Sequence, residues 1–353
     1  MLIRPIEERD IDALQAIAVE TGPGFTSLPN SRDFLIDKIA HARKSFQRSH
    51  ETTENAPEAA LYFFVLEDDS QPLESAERLA GCCAIESRVG LEAPFYHYRI
   101  GQLAHSSSHL ELHRTLDTLF LCSDHTGSAE VCSLYLRKRW RGEAQRPMRN
   151  GTLLSRARWL FMAGFRERFP DRVLAEMRGR FDDDGKSPFW EALGQKFLPI
   201  EFQRADHLTG MGEKGFIGEM MPRHPICTSF LPPSARACIG QVHTQTRPAL
   251  AMLNRDGLRF EGYIDIFDGG PTVEAYIDDV RSIRDSQTAC VSVQEALSSD
   301  ERPGWLAATT GAAVGFRAGW VGRGPRDGTI ALTPEEAQRL GVEDGDTLRL
   351  LAT

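Results

Sequence analysis

Between Arg137 and Gly151 the sequence gathers six arginines and lysines (Arg137, Lys138, Arg139, Arg141, Arg146 and Arg149) just ahead of a helix start. Before them runs Val131-Cys132-Ser133-Leu134-Tyr135-Leu136, a short apolar stretch of strand type. After them Gly151 opens an amphipathic run in which Leu153, Leu154, Ala157, Leu160, Phe161 and Phe165 recur near helical spacing. The chemistry open to such a strand, basic loop and helix start is anion binding. The first N–H groups of a helix have no internal acceptor, the helix dipole favours negative charge there, and a glycine lets a ligand approach the backbone. Arg149 and Gly151 are the candidate phosphate ligands. One glycine is a weak signal, and on the pattern alone an ordinary strand–helix connection with a solvated basic loop is the better reading.

Other side chains say less by themselves. Spacing singles out none of the ten histidines, and each reads as a surface or core residue. Seven cysteines are an odd count without metal spacing; Cys82 and Cys83 are adjacent and cannot chelate as a CxxC pair does. They read as buried reduced thiols, with no metal site expected. With 41% hydrophobic and 26% charged residues the chain is a folded protein rather than a disordered one. A net charge of −9 speaks against nucleic acid as a partner. No apolar run reaches the roughly 20 residues of a membrane helix, and Met1 to Pro5 has no signal-peptide character. A cytoplasmic protein without a membrane partner is the expectation.

The elements that must position these residues follow in order. Leu2 to Ile6 reads as a strand, and Asp10 caps a helix with Ile11, Leu14 and Ile17 on one face. Thr21 to Pro29 is a loop, Ser31 to Ser49 a second helix, and His50 to Pro57 a polar exposed segment. Strands are expected at Leu61 to Leu66, Leu79 to Val89, Tyr96 to Leu103 and Thr118 to Cys122, with a polar excursion between the last two. Another lies at Arg172 to Met177, and Ser187-Pro188 starts a helix as N-cap and first residue. Residues 201–260 read as mostly helical, followed by a hairpin across Asp268-Gly269-Gly270-Pro271. Near the end, Thr333, Pro334 and Glu336 form a helix start with a capping box, Gly341 stops that helix, and a last strand follows Asp344-Gly345-Asp346. The plan is α+β, and its ending looks like a small double-psi-type β-barrel.

Longer words are more specific. Thr26-Ser27-Leu28-Pro29, Asp124-His125-Thr126-Gly127-Ser128, Ala175-Glu176-Met177-Arg178-Gly179 and Ser187-Pro188-Phe189-Trp190 resemble the arginine N-succinyltransferase family. So do His224-Pro225-Ile226, Ile239-Gly240-Gln241-Val242-His243 and the run from Tyr263 to Thr272. They fall in that family's order over residues 1–285. The first strand and helix, the 131–136 strand and the Gly151 helix also resemble the acyl-CoA N-acyltransferase (GNAT) fold. The resemblance implies residues 1–200 as a GNAT-like acyl-CoA-binding core. It implies residues 201–284 as a helical and hairpin extension completing the active site, and 285–353 as the small β-barrel-like domain. The implied activity moves succinyl from succinyl-CoA to the α-amine of L-arginine, the entry step of arginine degradation by the succinyltransferase route. Succinyl-CoA would be a co-substrate, with no cofactor bound permanently.

The resemblance also assigns residues. His243 matches the family's proton donor. Leu134 matches its succinyl-CoA position, where a leucine offers backbone groups and an apolar wall. Arg149 and Gly151 would then serve the CoA pyrophosphate. His125 and His224, in family words too, would shape the pocket. The succinyl carboxylate needs a cation and the guanidinium a carboxylate. Glu176 and Arg178, two apart on a strand, share a face; they could line one pocket or neutralise one another. Asp124 and Asp268 read as turn residues first. An enzyme taking ornithine or another basic amino acid is the alternative, as is a non-catalytic subunit of a heteromer. Either a homo-oligomer or a heteromer with a related subunit is expected.

Overall fold

The computed structural model describes residues 1–22, 25, 27–48, 59–72, 75–142, 149–213, 215–295, 297 and 304–353. The polar segment expected at His50 to Pro57 lies outside them, as do parts of the Thr21 to Pro29 and Arg137 to Asn150 loops. In chain order the strands are β1 Leu2–Pro5, β2 Leu61–Glu67, β3 Leu79–Glu86, β4 His97–Ser107, β5 Leu112–Cys122, β6 Ala129–Leu136, β7 Arg172–Glu176 and β8 Ile226–Cys227. They continue as β9 Arg259–Ile264, β10 Pro271–Tyr276, β11 Gln287–Val293, β12 Trp305–Thr309, β13 Ala318–Val321, β14 Thr329–Leu332 and β15 Thr347–Ala352. All join one 15-stranded sheet in the order β14-β11-β15-β12-β13-β1-β2-β3-β6-β7-β10-β9-β4-β5-β8. It is mixed: β6 with β7 and β11 with β14 are parallel, and the other pairings are antiparallel.

Strand alternation assigns the two faces. The run Leu61 to Glu67 is buried throughout because helices cover β2 on both sides. Leu61, Phe63 and Val65 pack with Leu14, Ile17, Leu35 and Ile39 of helices α1 (Ile11–Thr21) and α2 (Arg32–Gln47). Tyr62 and Phe64 pack on the other side with Leu154, Leu160 and Phe161 of α3 (Asn150–Gly164). Asp10, expected as a side-chain cap, sits at the α1 N-cap without capping it. Its carboxylate instead accepts two bonds from Arg4, at 2.7 and 2.8 Å, and the same guanidinium donates to Glu67 at 3.0 Å.

Two expectations are corrected. The polar excursion after Leu103 is strand: β4 and β5 pair without a break from His97↔Cys122 to Ser107↔Leu112, making one long hairpin. The C-terminal residues do not close a barrel. Their helix Pro334–Leu340 has the expected capping box and its Gly341 stop, but their strands extend the main sheet through Ile3↔Ala318. The cause is burial: Leu306, Ala308, Ala318 and Leu351 contribute one face of this segment to the same core as α3, so the free edge of β1 is used. Among the described residues no helix is long and apolar enough to cross a membrane.

Candidate active site

The two parallel strands β6 and β7 pair at Ala129↔Val173 and Glu130↔Leu174, and then part. Ser133, in the middle of β6, has a left-handed backbone (φ 51°), and the β3–β6 register shifts beside it. A non-glycine residue there costs about 1 kcal/mol or more. The irregularity resets the alternation of β6. Cys132 and Tyr135 face the α1–α2 side, whereas Val131, Leu134 and Leu136 face α3. Beyond the last pair, Cys132 and Glu176 stand on opposite arms of the opening.

A cavity of about 460 Å³ lies on the α2 side of this opening. Asp37, Glu86, Glu130, Glu176 and Asp265 line it, with Lys38 and Arg88. Ligand atoms of Glu86, Glu130 and Cys132 come within 4.8 Å of one another. Burial, then the charges of Glu130 and Glu86, push the Cys132 thiol well above its ordinary value, so it is not a thiolate nucleophile. A second space of about 70 Å³ adjoins, bordered by Arg178, Phe202, Asp206 and Asp268 and sharing Glu176 and Asp265 with the first.

Arg178 and His243 meet beside the smaller space. The His243 backbone N–H donates to the Arg178 carbonyl at 2.8 Å. The Arg178 guanidinium lies 4.7 Å from the Phe181 ring centre, and its buried Nε has no hydrogen-bond partner. Burial lowers its pKa, against the fields of Asp268 and Asp206. His243 lies between the segment Pro233–Arg236 and the helix Arg247–Asp256, as expected of a side chain delivered by a loop. Its Nδ1 accepts the Gln245 backbone N–H at 3.2 Å, which puts the neutral ring's proton on Nε2. Burial and, after it, the Arg178 charge lower its pKa.

The expected phosphate ligands fall at the start of α3. Arg149 caps the helix with a left-handed backbone (φ 44°). Its guanidinium donates to Thr353 Oγ1 at 2.8 Å and lies 5.7 Å from the Trp320 ring centre, so the structure gives that side chain a protein partner. Gly151 is the second helical residue, and a Cβ there would meet nothing within 4 Å. The fold therefore does not itself require glycine. Asn150 beside it is 2% exposed, and both polar atoms of its side chain lack hydrogen-bond partners.

Among the other expected residues, His224 is exposed and lines neither space. Asp268 is a turn residue: it accepts the Gly179 and Gly270 N–H groups at 2.6 and 2.8 Å. Asp124 accepts the Tyr263 hydroxyl at 2.9 Å. His125 is buried, with Nε2 on the Glu274 carboxylate and Nδ1 3.3 Å from His97 Nδ1. His97 is wholly buried, and its Nε2 lies 3.0 Å from Glu176 Oε1, bent from hydrogen-bond alignment. His97 was not singled out from the sequence, and no local word surrounds it.

A family model described as "Arginine N-succinyltransferase beta subunit" matches residues 1–282, and one for the C-terminal domain of that subunit matches residues 287–352. The arginine N-succinyltransferase of Citrobacter koseri is 45% identical over 351 residues, 99% of this chain and 97% of that protein. The Yersinia pseudotuberculosis serotype O:3 protein of the same name is 42% identical over 356 residues, covering 100% and 97%. The structure of arginine/ornithine succinyltransferase subunit AI from Pseudomonas aeruginosa superposes with a TM-score of 0.85 at 35% identity, covering 99% of this chain and 98% of that one. Matched along nearly its whole length in sequence and in fold, the chain belongs to the arginine N-succinyltransferase family.

Proposed function

We propose that this protein transfers succinyl from succinyl-CoA to the α-amine of L-arginine. The observation that carries the reading is the opening between β6 and β7, with a carboxylate-lined cavity on one side of the sheet and Leu134 turned to the other. A cationic acceptor suits the first. The backbone of β6 around Leu134, past its last pairing with β7, would pair with the pantetheine amide, as in the acyl-CoA N-acyltransferase fold. The start of α3, at Gly151 and Arg149, would hold the pyrophosphate through backbone N–H groups and charge. Residues 1–200 are then the acyl-CoA-binding core, 201–284 the extension that supplies His243, and 285–353 a C-terminal segment. Succinyl-CoA is a co-substrate, and no permanently bound cofactor is needed.

The chemistry asks for a neutral amine, a donor at the developing oxyanion and an easy departure for the CoA sulfur. His243 Nε2–H is the proposed donor to that sulfur. Arg178, beside it, is the proposed cation for the succinyl carboxylate. The carboxylates around the larger cavity would take the guanidinium. Ornithine is the second reading, favoured by the dual name of the Pseudomonas relative. The protein would work in the cytoplasm, without nucleic acid or membrane, as a homo-oligomer or with a related subunit. The test is release of CoA thiol from succinyl-CoA with L-arginine, beside ornithine, lysine and acetyl-CoA. No release with either amino acid would refute the transfer reading, and a preference for ornithine would move the acceptor assignment.

A further inference from the structure

Four titratable side chains from separate parts of the sequence form one chain of contacts. Glu176 Oε1 meets His97 Nε2 at 3.0 Å, His97 Nδ1 meets His125 Nδ1 at 3.3 Å, and His125 Nε2 meets the Glu274 carboxylate. Both imidazoles are 1% exposed or less. Only the Glu176 end borders the two cavities; neither is lined by His97, His125 or Glu274. The His97–His125 and His125–Glu274 contacts each take one proton between their heavy atoms, and the two imidazoles stand between two carboxylates.

The geometry points to Glu176 as the base that takes the proton from the acceptor amine, held in position by His97, which His125 and Glu274 in turn hold. This inference rests on the transfer reading above. Glu176 stands on the β7 arm where β6 and β7 part, across from Cys132, where amine and thioester would meet. In the step, the Glu176 carboxylate takes a proton from the arginine ammonium and the freed amine nitrogen bonds to the thioester carbonyl carbon. The C–S bond then breaks, the sulfur takes a proton from His243 and leaves as thiol, and the surplus proton on the amide nitrogen restores His243. Glu176 returns its proton to solvent. His97 also faces the rings of Phe95 and Tyr263, and Tyr263 faces His125. Other charges near this cluster are Arg172 beside Glu274, Asp124 and Arg99 beside Tyr263, and Glu130, Asp265 and Arg178, which line the same spaces as Glu176.

The experiment measures thiol release across pH for wild type, Glu176→Gln, Glu176→Asp and Glu274→Gln, with thermal melting of each. Glu176→Gln should lower kcat by about 10²–10³-fold at neutral pH. The deficit should shrink as pH rises through the amine's own pKa, where the amine no longer needs a base. Glu176→Asp should keep the wild-type profile with a smaller loss. Glu274→Gln removes the carboxylate that holds His125, and through it His97, so the acid limb of kcat/KM should move by about one pH unit. A deficit equal at every pH, or a raised KM for arginine with kcat retained, overturns the inference and leaves the transfer reading intact. A wild type that transfers nothing overturns both. If Glu176→Gln melts early, Glu176→Asp and Glu274→Gln decide: an unmoved acid limb in Glu274→Gln overturns the inference.

Discussion

The backbone of His243 is tied to that of Arg178 at 2.8 Å, so the imidazole and the guanidinium are held in one neighbourhood by main chain rather than by chance of rotamer. Burial lowers the His243 pKa and the Arg178 charge lowers it further. A group of depressed pKa loses its charge at lower pH than usual, so a protonated His243 is a readier proton donor than an ordinary imidazolium. Titrating His243 by NMR should give a pKa below the ordinary histidine value, and Arg178→Met should raise it. Arg180 is the other arginine close in sequence, and Arg180→Met should leave it nearly unchanged. A pKa unmoved by Arg178→Met would separate the two side chains.

The same guanidinium is the proposed partner of the succinyl carboxylate. Losing a charge-assisted hydrogen bond costs roughly 1.5–3 kcal/mol, or one to two decades in kcat/KM. Wild type should therefore use acetyl-CoA poorly, and Arg178→Met should lose most of its advantage for succinyl-CoA while keeping its rate with acetyl-CoA. Steady-state kinetics with both donors check this. Equal use of the two donors by wild type would refute the succinyl assignment.

What the sequence made legible was local. The Thr333–Glu336 capping box and the Ser187 cap are both present, because every group involved lies within one helical turn. The β6–loop–α3 succession is visible for the same reason. The His97–His125–Glu176–Glu274 chain is not. His97 and His125 are 28 residues apart, and His125 and Glu274 are 149 apart, so only sheet register brings them together. Glu176 was visible as a candidate, yet not its contact with His97 at 3.0 Å. The barrel reading of the C-terminus failed on the same ground. A strand pattern gives which residues share a face, not which core the face will meet.

Gly151 tests the phosphate site. A Cβ there meets nothing, so Gly151→Ala should fold as well as wild type or better by about 0.4–1 kcal/mol, through reduced freedom of the unfolded chain. Gly151→Asp adds a negative charge beside the proposed pyrophosphate and should raise the succinyl-CoA KM strongly with little change in melting temperature. Unchanged KM and kcat in Gly151→Asp would remove the α3 start from the site.

Stability should respond at the other end of the sheet. Arg4 bridges Asp10 and Glu67, all three nearly buried. Arg4→Met leaves the buried Asp10 without its cation and Glu67 with Arg78 alone, and should cost about 3–5 kcal/mol in chemical denaturation. Burial alone would raise the Glu67 pKa, but bonds from Arg4 and Arg78 outweigh it and bring it down to about 2. A depressed carboxylate stabilises fully above its unfolded pKa and loses that contribution as pH falls through its folded one. Glu67 should therefore support folding above about pH 4.5 and lose that support as the pH approaches 2. Glu67→Gln should flatten the stability profile over this window, whereas an unaltered profile would deny the network its pH role.

His243 is the sharpest test of the reaction. It sits between two short helices, and Gln245 N–H occupies its Nδ1, leaving Nε2–H as the group to present. If that group meets the departing CoA sulfur, His243→Ala should lower kcat by about 10²–10⁴-fold, the usual range for one acid–base group. The loss should fall toward the lower end, because a thiolate leaves more readily than an alkoxide. The succinyl-CoA Kd should barely change, since the pyrophosphate and pantetheine are held elsewhere. His243→Asn cannot titrate near neutral pH and should match the alanine variant. Should the asparagine variant instead keep kcat near wild type, a neutral donor at that position suffices. His243 would then orient the thioester without moving a proton, and the sulfur would take its proton from solvent.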